Sequence, residues 1–172
     1  MFNRRELMQT AAALAVPGAV VCGRAAWAKG DEGPLPRLGS PLPLPALRLL
    51  DGSAWTPARA QGKVLVVYWW ASWCPFCALQ SPHIEALWRA QKANGLEVLA
   101  LSIDRQPAAA ANYMKAKGYS FPAGMLTPEV ARMLAKPAGL PVVVVRGRDG
   151  TVVFAESGEM FPEDVEGLKK YL

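Results

Sequence analysis

The segment KVLVVYWW, residues 63–70, constrains the fold more than any other part of the chain. Its apolar residues follow one another without alternation and are rich in β-branched and aromatic types. That is the pattern of a central strand buried on both faces, which belongs to a sheet with helices packed against it. Directly after it comes WCPFC, with Cys74 and Cys77 three positions apart, and then ALQSPHIEALWRAQKANG, which has the period of a helix. At a helix start, residues i and i+3 are neighbours, and the free amide hydrogens of the first turn stabilise a thiolate. Such a pair can bind a metal or form a disulfide.

The remaining punctuation is that of a single α/β domain. Residues 29–45 contain five prolines and read as a linker or an extended arm. Residues 46–50 suit a short edge strand, Asp51-Gly52 a turn, and residues 56–60 a short helical turn. The helix after the cysteines spans about residues 74–93, with Leu79, Ile84, Leu87 and Trp88 on its apolar face, and is kinked by Pro82. Residues 96–104 read as a second central strand, 108–117 as a surface helix ending at Gly118, and 128–135 as a short helix. VVVVR (142–146) and TVVF (151–154), joined by GRDG, form a hairpin, and a last helix covers 162–171. The expected architecture is a central mixed β-sheet flanked by helices. A chain of 172 residues suits one such domain of about 140 residues plus a leader.

The first 28 residues differ from the rest. Arg4 and Arg5 precede a modestly apolar stretch, residues 11–21, and Ala26-Trp27-Ala28 offers a small-x-small cleavage site, which together resemble an export signal of the twin-arginine type. Pro17-Gly18 interrupts the apolar stretch, which is short for a membrane span. Cys22 follows Val21, where lipoprotein signals have a small residue, and is expected to leave with the leader. Cleavage would remove three of 19 basic and one of 14 acidic residues, lowering the net charge from +5 to +3. The basic residues are dispersed, which argues against a nucleic-acid partner. The mature chain would keep one cysteine pair, whose loop is too small to staple a fold, in a compartment that permits disulfide chemistry.

Four features together carry a family resemblance: the strand-to-helix CxxC, Trp73 before it, Pro82 within the helix, and Gly139-Leu140-Pro141 before a late strand. Over about residues 40–172 the chain resembles thioredoxin-fold thiol-disulfide oxidoreductases. It is most similar to their periplasmic TlpA-like branch, which includes cytochrome c maturation factors. The resemblance implies a thioredoxin-like fold, with Cys74 as the exposed nucleophile and Cys77 as the resolving cysteine. It places Trp73 beside the reactive sulfur, Phe76 on an apolar rim, and Pro141 as a cis-proline opposite the pair, with the Leu140 backbone available to an extended substrate. Pro75 costs no hydrogen bond at an early helical position. Protein thiols or disulfides are the implied substrates, a membrane electron donor and a cytochrome c maturation partner the implied associates, and no organic cofactor is called for.

Two positions depart from the family. Tyr68 stands where thioredoxins carry a buried aspartate, and Gln80 where many TlpA-like reductases carry a glutamate. Gln80 can orient water or hydrogen-bond a thiol but cannot titrate. Tyr68 reads as core packing, as do Trp69, Trp70, Met125 and Met133, while His83 reads as a helix-surface residue. The acidic C-terminal residues Glu156, Glu159, Glu163, Asp164 and Glu166 read as a solvated face. The alternative function is a Cu(I)-binding or copper-delivery module using the same two thiolates.

Overall fold

The computed structural model describes residues 33–172, so the expected leader and Cys22 lie outside the described residues. A five-stranded sheet forms the centre, in the order β5 (Ala123–Met125), β4 (Leu96–Ser102), β3 (Val64–Trp70), β6 (Val142–Arg146), β7 (Val152–Ser157). Strands β3, β4 and β5 are parallel neighbours, whereas β6 and β7 run antiparallel. A second, two-stranded sheet pairs β1 (Leu47–Arg48) with β2 (Ala54–Trp55). The helices are α1 (Pro75–Gln91), α2 (Pro107–Lys117), α3 (Pro128–Ala131) and α4 (Pro162–Gly167).

Every residue of β3 and β4 is buried, as the unbroken apolar run requires. The side chains of β3 divide by parity between two cores. Val64, Val66, Tyr68 and Trp70 join Cys74, Cys77, Ile84, Leu87, Met114, Val165 and Leu168 on the face covered by α1, α2 and α4. Leu65, Val67 and Trp69 join Trp55, Ala60, Val130 and Leu134 on the other. Trp69 and Trp70 therefore anchor opposite faces. Successive parallel steps from β3 to β4 to β5 move in one direction across the sheet, and right-handed crossovers then put α1 and α2 on the same side.

Several expectations need correction. Strand β5 has no alternating apolar run and was not legible. It forms because the open edge of β4 pairs Ala100 with Ala123 and Leu101 with Gly124. At Gly124 a Cβ would lie 2.5 Å from Leu47 Cδ1 and 3.2 Å from Arg48 O where β1 crosses, so a larger residue would have to push the Leu47 side chain aside. Helix α3 stops at Ala131, and the last helix ends at Gly167 before a 3-10 turn over Leu168–Tyr171. Leu79 is 57% exposed, not part of the core face. The buried positions of α1 are Cys77, Gln80, Ser81, Ile84, Glu85, Leu87 and Trp88, and Leu79 falls outside that stripe. Met133 is also exposed.

The segment before the domain is an arm docked on it. Gly39 N donates to Val152 O at 2.7 Å, Val152 N to Ser40 O at 2.9 Å and Leu42 N to Gly150 O at 3.1 Å, and Leu42 is buried in the second core.

Candidate active site

Strand β3 delivers the chain to the cysteines through Ala71, Ser72 and Trp73, and Cys74 becomes the N-cap of α1. Its φ of −83° and ψ of 115° are extended, and its Sγ accepts a hydrogen bond from Cys77 N at 3.2 Å. A thiol thus takes the place of the Ser, Thr or Asp that normally satisfies an unpaired first-turn amide. Pro75 follows at the first helical position, where its missing N–H is no loss. Both cysteines are thiols in this structure.

Cys74 is 5% exposed, a correction to the expectation of an exposed nucleophile. Capping folds its sulfur back over the helix start. Cys77, one turn further in, is 1% exposed. Burial pushes the Cys77 thiol up to about 12, reinforced by its hydrogen bond to Cys74 and opposed by the Ala71 backbone and the Tyr68 hydroxyl. Around the pair, Trp73 and Phe76 are 65% and 54% exposed, so neither is a core aromatic; with Leu79 they contribute apolar surface at the start of α1. The Leu140–Pro141 peptide bond is cis. Pairing of Trp69 with Val142 brings this bond to the end of the sheet where β3 departs toward Cys74. Pro141 is buried and Leu140 is half-buried against both cores.

The fold gives Gln80 and Tyr68 specific partners. Gln80 is fully buried, and its Oε1 accepts from Met160 N at 2.8 Å, so it ties α1 to the segment before α4. Tyr68 packs in the core, but its hydroxyl also lies 3.0 Å from Ser81 Oγ and donates to Cys77 O at 3.4 Å. Alternation along β3 was the signal that could have found it, because Tyr68 shares the α1 face with Trp70. His83 is half-buried on α1. Among the described residues, no group of three or more His, Cys, Asp and Glu side chains could hold a metal ion.

The Redoxin family profile matches residues 37–172, the later part of the arm and the domain. The chain belongs to the Redoxin family. Among curated proteins, this redoxin is 27% identical over 121 residues to the thiol-disulfide oxidoreductase ResA of Bacillus thuringiensis (strain Al Hakam), covering 70% of each chain. It is 25% identical over 122 residues to ResA of Bacillus subtilis (strain 168), covering 71% of this chain and 68% of that one. Among solved structures, a thiol:disulfide interchange protein of the thioredoxin family from Chlorobium tepidum TLS superposes with a TM-score of 0.72 at 25% identity. The match covers 78% of this chain and 97% of that one. The redoxin is accordingly a thioredoxin-superfamily thiol-disulfide oxidoreductase.

Sequence reasoning missed Asp104, which holds the loop entering the site. Its buried carboxylate accepts from Ser72 N (3.0 Å), Ser72 Oγ (2.7 Å) and Ser102 Oγ (2.7 Å). Asp104→Asn replaces one acceptor oxygen by a donor that faces hydrogen-bond donors. The expected result in a urea melt is a loss of about 1–3 kcal/mol. A several-fold slower thiol exchange should accompany it, because Ser72 sits two residues before Cys74. Unchanged stability and exchange would show that the serines find equivalent partners.

Proposed function

We propose that this redoxin is an exported reductase of protein disulfides, with Cys74 as nucleophile and Cys77 as resolving cysteine. Cys74 gives up its proton to water and its Sγ attacks a substrate disulfide; one substrate sulfur leaves as a thiolate and takes up a proton, and a mixed disulfide remains. Cys77 then loses its proton and bonds to Cys74 Sγ, expelling the second substrate sulfur. Two electrons pass from the pair to the substrate, and a membrane electron donor restores the dithiol. Trp73 and Phe76 supply apolar surface for the partner, and the Leu140 backbone beside Pro141 pairs with an extended substrate segment. The Arg4-Arg5 leader supports export to the periplasm by the twin-arginine route, and a cytochrome c maturation protein is the partner suggested by the TlpA-like resemblance.

The observation that carries the reductase direction is the burial of both sulfurs in one apolar cluster, Cys74 at 5% and Cys77 at 1% exposure, which also pushes the Cys77 thiol up. Strong oxidants of this superfamily owe their potential to a stabilised reduced form, typically a stabilised thiolate. Here one backbone N–H donates to Cys74 Sγ, and the pair lies in an apolar cluster. Equilibration of the purified protein with glutathione buffers should give a potential well below about −200 mV; a value near about −120 mV would make it an oxidant instead.

A further inference from the structure

Tyr68 is a buried titratable group that the exchange described above leaves without a task. It stands on β3 beneath the first turns of α1, and its hydroxyl is 3.0 Å from Ser81 Oγ and 3.4 Å from the Cys77 carbonyl oxygen. Ser81 is fully buried as well. Its hydroxyl can donate to or accept from Tyr68, so the Tyr68 O–H is free to reorient without stranding either group. Gln80, the other polar side chain on this part of α1, has its carbonyl engaged by Met160 N, while its buried Nε2 has no hydrogen-bond partner among the described residues.

We propose that the Tyr68 hydroxyl is the hydrogen-bond donor that stabilises the charge on Cys77 Sγ as this cysteine resolves the mixed disulfide, with Ser81 holding the hydroxyl in place. The assignment rests on the resolving role given to Cys77 above. In the step concerned, the Cys77 S–H bond breaks and its proton passes to water. The Cys77 sulfur bonds to Cys74 Sγ, the bond from Cys74 to the substrate sulfur breaks, and that sulfur leaves with the electron pair and is protonated by water. Tyr68 gains and loses nothing; its O–H swings from Ser81 or the Cys77 carbonyl toward Cys77 Sγ. Burial, and then the neighbouring Cys77, keep the phenol well above its ordinary ionisation range, so it remains a donor throughout. The same hydroxyl opposes the upward shift of the Cys77 thiol.

The titratable neighbours of this arrangement are few. Cys77 lies on α1 and Cys74 caps it; Tyr113 on α2 is raised by burial and by both cysteines, and Tyr119 interacts with it from the loop beyond. From β6 and α4 the cluster receives Val143, Val145 and Val165, which carry no charge. A donor placed in such surroundings acts more strongly than it would in water.

The test separates the two thiol steps in the full chain. The reduced protein is mixed with dithionitrobenzoate, an aromatic disulfide that releases one coloured thiolate when Cys74 attacks and a second when Cys77 resolves. Tyr68→Phe keeps the ring and its edge-on contact with Phe121 while removing only the hydroxyl. The first release should stay within about 2-fold of the parent, and the second should slow about 10-fold, the scale of a hydrogen bond to a charged group. The pH profile of the second release should also move to higher pH. Ser81→Ala, which leaves the donor in place, should slow the second release by a smaller factor of about 3. A second release within 2-fold of the parent with an unmoved pH profile overturns the proposal. So does equal slowing of both releases, the sign of a packing role, or a larger effect from Ser81→Ala than from Tyr68→Phe. A parent protein that gives no second release overturns the resolving role of Cys77 itself, and this assignment with it.

Discussion

Cys77→Ala accumulates a covalent adduct with its substrate through Cys74, whereas Cys74→Ala forms none and loses exchange activity by at least about 10³-fold, as removal of a covalent nucleophile does. The asymmetry follows from the local geometry. Cys74 caps α1 at its sulfur, next to apolar surface that a partner can reach, while Cys77 is one turn deeper, beneath it. Without Cys77 no thiol remains in the described domain to expel the bound partner. Non-reducing gels and mass spectrometry of trapped species read the result. Adducts carried equally by either single variant would reverse or abolish the assigned order.

Glu85→Ala is expected to be strongly destabilising. Glu85 is 7% exposed, and its carboxylate accepts from Ser120 N at 2.8 Å, Ser120 Oγ at 2.6 Å and Phe121 N at 3.1 Å, besides pairing with Arg89 one turn along α1. These bonds fasten α1 to the chain that leads into β5. Truncation strands two backbone donors near the core, a loss of about 3–5 kcal/mol, while the mostly exposed Arg89 is left to water. At about 3 °C per kcal/mol for a domain of this size, the melting midpoint should fall about 10–15 °C. The pH dependence has a definite sign. Burial by itself would raise the carboxyl, but the hydrogen bonds from Ser120, Arg89 and Phe121 outweigh it and hold the group below its ordinary range. A lowered folded-state value contributes stability above the unfolded pKa of about 4.3 and loses it as pH falls through the folded value. Melts of the parent should therefore weaken below about pH 4.5, and Glu85→Gln should flatten that part of the curve while lowering stability at neutral pH. A parallel acid limb in the variant would assign the acid sensitivity to other carboxylates.

The redox centre was readable because its signals are local. An unbroken apolar run, a cysteine pair at the following helix start and Gly-Leu-Pro before a later strand each declare themselves within a few residues. Even the exposure of Leu79 was available, since a helical period counted from Cys77 excludes it. The partners of Asp104, Gln80 and Glu85 were not, because each bond joins segments tens of residues apart, from 32 for Ser72 with Asp104 to 80 for Gln80 with Met160.

An α/β fold with two thiols at a helix start follows from local pattern alone, because periodicity and capping act through neighbouring residues. What surrounds those thiols comes from the packing of distant segments. Parallel pairing of β3 with β4, matching Trp70 to Ser102, brings Asp104 beside Ser72. Packing of α1 on β3 sets the Tyr68 hydroxyl beside Ser81 and under Cys77. Burial and hydrogen bonding between distant segments shift ionisation and fix loops, and those terms exist only once the chain has closed on itself.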